Sequence, residues 1–238
     1  KALLNETKCS QCGHCIAICP ENALEGFDTN DTKPYNQATF DIEPDRLLNA
    51  IKFRRSIRNF KLKKVDQPHI DMLIDAARFT PTGGNRQDVS YILVQHSIPA
   101  LRKAVIYSLK ELADTADQTR NVYARGYAKM WQRIYDNYIA NPEGPDEVFF
   151  GAPLIMFILA KEPVNAVLAS HSVEMMANSL GLGACYIGAA QYVADFKRMA
   201  EFLNIQDRRR VGACLAIGHP NVKYYRTVPR KNAEIEVK

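Results

Sequence analysis

The chain has 238 residues, 47% of them hydrophobic and 24% charged, and its formal net charge is +5. These ordinary values exclude a disordered, collagen-like or coiled-coil protein as the main architecture, and they allow one large domain or two small ones. No run of residues reaches the roughly 18 apolar positions of a membrane span, and none resembles a signal peptide. We therefore expect a cytoplasmic protein that does not bind a membrane.

The first motif is a run of four cysteines, Cys9, Cys12, Cys15 and Cys19, with the spacing C-x2-C-x2-C-x3-C and followed by Pro20. This spacing is that of bacterial ferredoxins, in which thiolates at two-residue gaps wrap one face of an iron–sulfur cubane. Zinc is less favoured, because zinc ribbons separate their two cysteine pairs by roughly 15–20 residues. The four cysteines are therefore predicted to ligate a 4Fe-4S cluster.

The cysteine inventory indicates an incomplete module. Two clusters with four thiolates each need about eight cysteines, whereas the chain has six, and Cys185 and Cys214 lie in apolar segments. The chain starts at Lys1 rather than at Met, and residues 1–8 resemble the spacer between two such motifs. We expect residues 1–30 to be the second half of a two-cluster module. A polar linker, Thr29 to Tyr35, then leads to a second domain at 36–238.

The rest of the chain predicts an α+β body built on a small mixed sheet, because helices outnumber strands and do not alternate regularly with them. Helices are expected from near Pro44, from Pro68, over 98–139 with a break near Asp114, from Pro163 to Gly181, and at about 192–203. Strands are expected at 91–94, 153–160, 184–188 and 211–217. The helix from Pro163 carries one apolar stripe, which we expect to face the core with His171 as a core residue: Val164, Val167, Leu168, His171, Met175 and Leu180.

The positive charge is concentrated in two segments without acidic residues, Lys52 to Lys64 and Arg208 to Lys231, each with seven lysines and arginines. Since they carry +14 between them, the +5 of the whole chain leaves −9 for the rest. An acidic body with two basic segments favours an anion site over a nucleic-acid surface, although two solvated basic faces would give the same pattern.

Two short motifs are suited to a phosphorylated ligand. The segment Arg54-Arg55-Ser56-Ile57-Arg58 offers three guanidinium groups and a hydroxyl, and arginine binds phosphate through paired N–H donors. The loop Thr80 to Gln87, Thr-Pro-Thr-Gly-Gly-Asn-Arg-Gln, has glycines that would let backbone lie close to a planar ligand. Either motif alone could be an ordinary surface turn.

The order of the motifs resembles the FMN-dependent nitroreductase family from about residue 47 to the C-terminus. The shared features are R-R-S-x-R-x-F, P-T-G-G-N-R-Q, G-A-P before a strand and G-L-G before a short strand. With the cysteine run in front, the chain is similar to nitroreductases that carry an N-terminal ferredoxin domain. The resemblance implies a nitroreductase-like fold and a homodimer with FMN at its interface.

The resemblance also implies roles for particular residues. Arg54, Arg55, Ser56 and Arg58 match residues that hold the flavin phosphate and ribityl chain or lie beside them. Thr82, Gly83 and Asn85 match residues that the partner subunit supplies to the flavin. The remaining matches are the strand end near the flavin N5, at Tyr186, Ile187, Gly188 and Ala189, and the C-terminal phosphate ligands, at Arg226 and Arg230.

The sequence departs from the family where it would define the substrate. Asp88-Val89 follows Gln87, where many members have Pro-Trp; Gly188-Ala189 replaces a Glu-Gly pair of some members; and residues 98–150 carry no motif that we can match. No G-x-G-x-x-G follows a strand, so a Rossmann domain is not expected.

The predicted function is that of a flavin oxidoreductase. It would use FMN to pass electrons from NAD(P)H, or from reduced ferredoxin through the clusters, to a nitro compound or a related small electron acceptor. No catalytic side chain is predicted, because the flavin itself reacts. One alternative is an electron-transfer module that relays electrons to a partner protein without a dedicated substrate. A zinc-stabilised module with a basic nucleic-acid face is a weaker alternative, and no nucleic-acid partner is expected.

Overall fold

The computed structural model describes residues 8–21, 23–24, 31–118, 122–205 and 208–238, without the side chains of Gln118 and Tyr123. The predicted iron–sulfur module at 1–30 and the start of the linker at Thr29 lie partly outside these residues. No helix in the described ranges is both long enough and apolar enough to cross a membrane.

The helices begin where the proline signals predicted. Pro44, Pro68 and Pro163 each occupy the first turn of a helix, where a missing N–H is tolerated. The expected break near Asp114 separates α5 from α6. The helices of the described residues are α1 (His14–Ile18), α2 (Gln37–Phe40), α3 (Pro44–Phe53), α4 (Gln67–Arg78), α5 (Ile98–Asp114), α6 (Val122–Ala140), α7 (Pro163–Ser179), α8 (Gly188–Tyr192) and α9 (Lys197–Leu203).

Four strands of the described chain form one sheet in the order β1-β2-β4-β3. They are β1 (Ser90–Val94), β2 (Leu154–Ala160), β3 (Gly183–Tyr186) and β4 (Arg210–Gly218), and all neighbours pair antiparallel. A parallel bridge, Ser56 to Ala184, adds the chain before α4 to the β3 edge. The α+β fold is as predicted, and this bridge is where parallel pairing enters an otherwise antiparallel sheet.

The core lies on both faces of the sheet, because side chains alternate along a strand. In β2, Leu154, Met156 and Ile158 pack with α4 and α7, whereas Ile155 and Phe157 pack with α5, α6 and the short helices. Every residue of β2 is buried, which explains why its sequence is a continuous apolar run.

The predicted core face of α7 is wrong. Val164, Val167 and Leu168 are 61%, 47% and 46% exposed, and the His171 side chain is 63% exposed. The buried face carries mostly small residues instead: Asn165, Ala166, Ala169, Ser170, Val173, Glu174 and Ala177. Small side chains let the helix lie close to the sheet, so the largest apolar residues were a misleading guide to its inner face.

Two boundaries near the chain end also differ from the prediction. The strand expected at 184–188 ends at Tyr186, because Gly188 already begins α8. The single helix expected at about 192–203 is two helices, α8 and α9, separated by residues 193–196. Leu203 ends α9, and Asn204 follows in the left-handed conformation that commonly terminates a helix.

Candidate functional site

A cavity of about 370 Å³ lies between the end of α3, α7, the start of β3 and the chain after β4. Its volume falls within the roughly 300–1,000 Å³ that small-molecule sites occupy. Arginines 54 and 55 line it, as do Gly183 and Ala184 of β3. The remaining lining residues are Phe53, Ile57, Glu174, Asn178, Gly181, Leu182, Pro220, Val222, Lys223 and Tyr224.

The two basic segments meet beside this cavity. Phe60 forms a bridge with Pro220, and the Lys61 N–H donates to the His219 carbonyl at 2.8 Å. Lys223 of the second segment lines the same cavity as Arg54 of the first. Backbone pairing thus joins two segments that are distant in the chain, and their basic side chains give the cavity a positive wall.

Arg54 is held by a buried carboxylate. It is the C-cap residue of α3, and its Nη1 donates to Oε1 of Glu174 at 2.6 Å. The Arg54 side chain is 29% exposed, whereas the Glu174 side chain is only 4% exposed. Glu174 lies on the inner face of α7, which the large apolar residues of the helix do not mark.

Arg55 fits an anionic ligand, because two of its donors are unused. Its Nη1 donates to the Arg54 carbonyl. Its Nε and Nη2 are buried, and neither has a hydrogen-bond partner within the described part of the protein. A buried donor without a partner is unfavourable, so a phosphate at this position would satisfy it.

The glycines of the G-L-G motif shape the wall of the cavity. Gly181 follows α7 with φ +70°, and its N–H donates to the Asn178 carbonyl, as expected where a helix ends. A Cβ on Gly183 would lie 2.5 Å from Cγ1 of Ile57. Ile57 therefore packs directly on β3, and its N–H donates to the Ala184 carbonyl at 3.0 Å.

The other residues of the first motif lie next to the cavity rather than in its lining. Ser56 pairs with Ala184 through the parallel bridge. The Arg58 guanidinium carbon is 5.9 Å from the centroid of the Phe150 ring. Burial raises the pKa of the nearby Cys185 thiol, and the positive charge of Arg58 partly offsets this increase.

The predicted strand-end residues occupy the turn from β3 into α8. Tyr186 closes β3, and its hydroxyl lies 3.1 Å from Oγ of Ser170 on α7. Burial raises the pKa of Tyr186. Ile187 is buried at the N-cap of α8, followed by Gly188 and Ala189 in the helix. None of the four is among the residues that line the cavity in the described chain.

The loop with Thr82 and Gly83 is fixed to α7 by a polar network. The Gly83 N–H donates to Oδ1 of Asn165, whose Nδ2 donates to Asp88 at 3.0 Å. Burial raises the pKa of Asp88, whereas hydrogen bonds from Asn165 and the Lys161 N–H lower it. The hydrogen bonds together outweigh the burial, so the pKa of Asp88 lies below its usual value. Asp88, which departs from the family pattern, therefore anchors the loop.

Asn85 joins this loop to the cysteine segment. Its Nδ2 donates to the carbonyls of Ser10 and Gln11, at 3.0 Å each. In the described structure, neither Thr82 nor Gly83 nor Asn85 lines the cavity formed by the arginines of the same chain. The loop and the arginines are thus two separate surfaces of one chain.

Backbone N–H groups donate hydrogen bonds to sulfurs of the cysteine run. The Gln11 N–H donates to Sγ of Cys9 and the Ala23 N–H to Sγ of Cys19, both at 3.4 Å. A hydrogen bond from the His14 backbone N–H lowers the pKa of Cys12. Within the described ranges no three Cys, His, Asp or Glu side chains are gathered to hold a metal, so the cluster site rests on residue type and spacing.

The structure does not bring the two C-terminal arginines to the cavity. Arg226 and Arg230 are exposed in the chain after β4 and are not among its lining residues. Lys223 and Tyr224 line it instead, and no sequence motif marks either residue. The absence of acidic residues from 208–231 indicated that this segment is basic. It did not indicate which of its basic residues lines the cavity.

Comparison with known families identifies the body of the chain. The model described as "Nitroreductase family" matches residues 51–219. The chain belongs to the nitroreductase family. A second model, "4Fe-4S binding domain", matches residues 2–25, which include all four cysteines of the run. Both parts of the resemblance seen in the sequence are confirmed.

Individual relatives are distant. FMN reductase (NADPH) of Bacillus subtilis (strain 168) is 27% identical over 177 residues, which cover 73% of this chain and 65% of that protein. A nitroreductase with bound FMN from Bacteroides fragilis NCTC 9343 has a TM-score of 0.59 at 15% identity, covering 81% of this chain and 98% of that one. Another, from Desulfitobacterium hafniense DCB-2, has a TM-score of 0.55 at 19% identity, covering 79% and 97%. These structures support the fold.

Proposed function

We propose that the protein is an FMN-dependent oxidoreductase whose flavin phosphate binds at the positive wall of the cavity. The observation that carries this proposal is a pair of buried donors on Arg55 that have no hydrogen-bond partner among the described residues, next to Arg54 and Lys223. A dianionic phosphate satisfies such donors with charge-assisted hydrogen bonds. Bound FMN supplies one- and two-electron chemistry, and the residues of the chain hold and orient it.

The active form is a homodimer, in which each chain supplies its loop around Thr82 and Asn85 to the flavin of the other. The outer face of α7 presents Val164, Val167 and Leu168 together, and α3 presents further exposed apolar residues. Apolar surface of this kind is buried in an obligate dimer. The separation of the loop from the arginines in one chain supports a flavin site completed by the second copy.

Electrons enter from NAD(P)H at the flavin, or from reduced ferredoxin through the iron–sulfur module, and leave to a nitro compound or a related small acceptor. The name of the Bacillus subtilis relative supports NADPH as a donor. The match of residues 2–25 to the 4Fe-4S binding domain supports the ferredoxin route. Asn85 supports it as well, since its two hydrogen bonds keep the cysteine segment beside the flavin loop.

The proposal is tested by the cofactors of the protein and by one variant. Anaerobically purified protein should show flavin absorbance bands and should reduce a nitroaromatic compound with NADPH or reduced ferredoxin. Arg54→Ala should weaken FMN binding roughly 10- to 100-fold, because a charge-assisted hydrogen bond contributes about 1.5–3 kcal/mol. Absence of flavin from the wild type, or unchanged FMN affinity in Arg54→Ala, would contradict the proposed site.

The alternative is an electron-transfer module that relays electrons to a protein partner. It is favoured by the same contact between the cysteine segment and the flavin loop. Steady-state turnover separates the two functions. A module should accept electrons from its donor and pass them to a redox protein, without saturable turnover of any small acceptor.

A further inference from the structure

Glu174 is a buried carboxylate that lines the cavity beside the arginines. Its side chain is 4% exposed, which is unfavourable for a charged group unless it is paired and hydrogen-bonded. Arg54 Nη1 lies 2.6 Å from Oε1, and His171 Nδ1 lies 3.8 Å from Oε2. Since His171 is largely exposed and beyond hydrogen-bond distance, Arg54 is the close partner.

The ion pair with Glu174 holds the Arg54 guanidinium in one orientation at the cavity. Arg54 starts at the end of α3, crosses to α7 and lines the cavity together with Glu174. A guanidinium has five N–H donors in a rigid plane, so one bond to a fixed carboxylate orients the others. Fixing a long side chain before its ligand arrives reduces the entropy lost on binding.

The charge of Glu174 alone would oppose an anionic ligand, since like charges repel across a cavity of low dielectric. Any benefit of Glu174 to phosphate binding must therefore come from the orientation of Arg54. This distinction separates two substitutions: glutamine keeps an acceptor oxygen in place without the charge, whereas alanine removes both.

We propose that Glu174 is a positioning residue, which holds the Arg54 guanidinium in the orientation that binds the FMN phosphate. The proposal rests on the proposed function and adds to it a residue that does not contact the flavin phosphate itself. Glu174 accepts a hydrogen bond from Arg54, and its effect on phosphate binding is exerted entirely through Arg54.

The test measures the affinity of the full-length apoprotein for FMN and for riboflavin, by quenching of flavin fluorescence. Glu174→Ala should weaken FMN binding roughly 10- to 100-fold, the range expected for one charge-assisted hydrogen bond, and should leave riboflavin binding within about 3-fold. Glu174→Gln should restore FMN binding to within about 5-fold of the wild type. Glu201→Ala, an exposed carboxylate paired with Lys197 on α9, is the control and should change neither.

A double-mutant cycle completes the experiment. In the Arg54→Ala background, Glu174→Ala should cause no further loss of FMN affinity, because the two residues act as one unit. The proposal would be overturned if the losses of FMN affinity were additive in the double mutant. It would also be overturned if Glu174→Gln and Glu174→Ala lost FMN affinity equally, or if a variant lost affinity for FMN and for riboflavin equally. If Glu174→Ala does not fold, Glu174→Met replaces it, with a similar volume and no acceptor. Wild-type protein that binds no FMN would instead contradict the proposed function.

Discussion

The cysteine segment and the cavity lined by Arg54 and Arg55 are built in opposite ways. The four cysteines of the run lie within eleven consecutive residues, so their spacing alone specifies the ligand set. The cavity combines the end of α3, the inner face of α7, the start of β3 and the chain after β4, and its closest ion pair joins residues 120 positions apart. A motif of neighbouring residues can be recognised in the sequence, whereas a cavity whose residues are distant in the chain can be recognised only once the fold is known.

The cysteine segment contacts the body of the protein through Asn85, which is not among the residues that line the cavity in the described chain. The Asn85 amide donates to two carbonyls of the cysteine segment, from a loop that α7 holds through Asn165. The predicted iron–sulfur ligands can thus be recognised without the fold, but the fold determines where the cysteine segment lies.

The largest expected effect is the loss of the cluster in Cys12→Ser. Cys12 is exposed and distant in sequence from every lining residue of the cavity. We expect loss of most iron and acid-labile sulfide, because a serine hydroxyl does not replace a thiolate ligand. FMN content should stay within about 20% of the wild type if the regions are built separately.

The matched control for this experiment is Glu21→Ala, an exposed change two residues after the last cysteine of the run, which should leave both cofactors in place. Loss of flavin together with iron in Cys12→Ser would show that the cysteine segment is part of the flavin site.

A second large effect is expected for Leu168→Glu on the outer face of α7. Leu168 is 46% exposed in one chain, and we expect it to be buried in the dimer, where an unpaired carboxylate is strongly unfavourable. The variant should be a folded monomer in analytical ultracentrifugation and should lose FMN. Ile139→Glu, a similarly exposed position on α6 at 49%, should remain dimeric. A dimeric Leu168→Glu with normal flavin content would contradict an interface through α7.

Gly183→Ala tests whether close packing at β3 positions the arginine segment. The new Cβ would lie 2.5 Å from Cγ1 and 2.7 Å from Cβ of Ile57, the residue between Ser56 and Arg58. Overpacking of this kind destabilises a protein by about 1–3 kcal/mol, and here it should also weaken FMN binding by displacing the neighbouring arginines.

The same substitution at Gly126 is the control. Gly126 lies within α6, and a Cβ there would meet no atom of the described residues within 4 Å. Gly126→Ala should stabilise the protein by about 0.5–1 kcal/mol, since alanine is the better helix former. Urea unfolding of both variants checks the opposite signs, and a neutral Gly183→Ala would show that Ile57 can move away without cost.

What could be predicted from the sequence follows this contrast between local and long-range structure. The prolines at positions 44, 68 and 163 marked helix starts, and the uninterrupted apolar run of β2 marked the central strand. The inner face of α7 could not be read, because it is lined by small residues and includes a charged one, Glu174. The large apolar residues of α7 lie on its exposed face, and the sequence does not show whether a second copy of the chain covers that face.

Site residues divide in the same way. The arginines 54 and 55 were found because their motif is contiguous, and both line the cavity. Glu174 and Lys223 were missed, since a single glutamate on a helix and a single lysine in a basic tail carry no spacing signal. All the predicted roles toward the flavin, including those of Arg54 and Arg55, stay predictions.

The most local of the expected effects is that of Asp88→Ala on the loop anchor. Removal of this carboxylate leaves the buried Asn165 amide without its acceptor, which should cost about 2 kcal/mol at neutral pH. Asp75→Ala is the control, because its exposed ion pair with Arg78 should contribute less than about 1 kcal/mol.

The pH dependence identifies the cause of that effect. Hydrogen bonds to the ionised Asp88 outweigh the burial that raises its pKa, so the folded pKa lies below the unfolded one. The stabilisation is therefore complete above the unfolded pKa of about 4 and is lost as the pH falls through the lower, folded value. The difference in unfolding free energy between wild type and Asp88→Ala, from urea titrations, should shrink from pH 7 toward about pH 3. A difference that stays constant over this range would mean that the carboxylate charge does not anchor the loop.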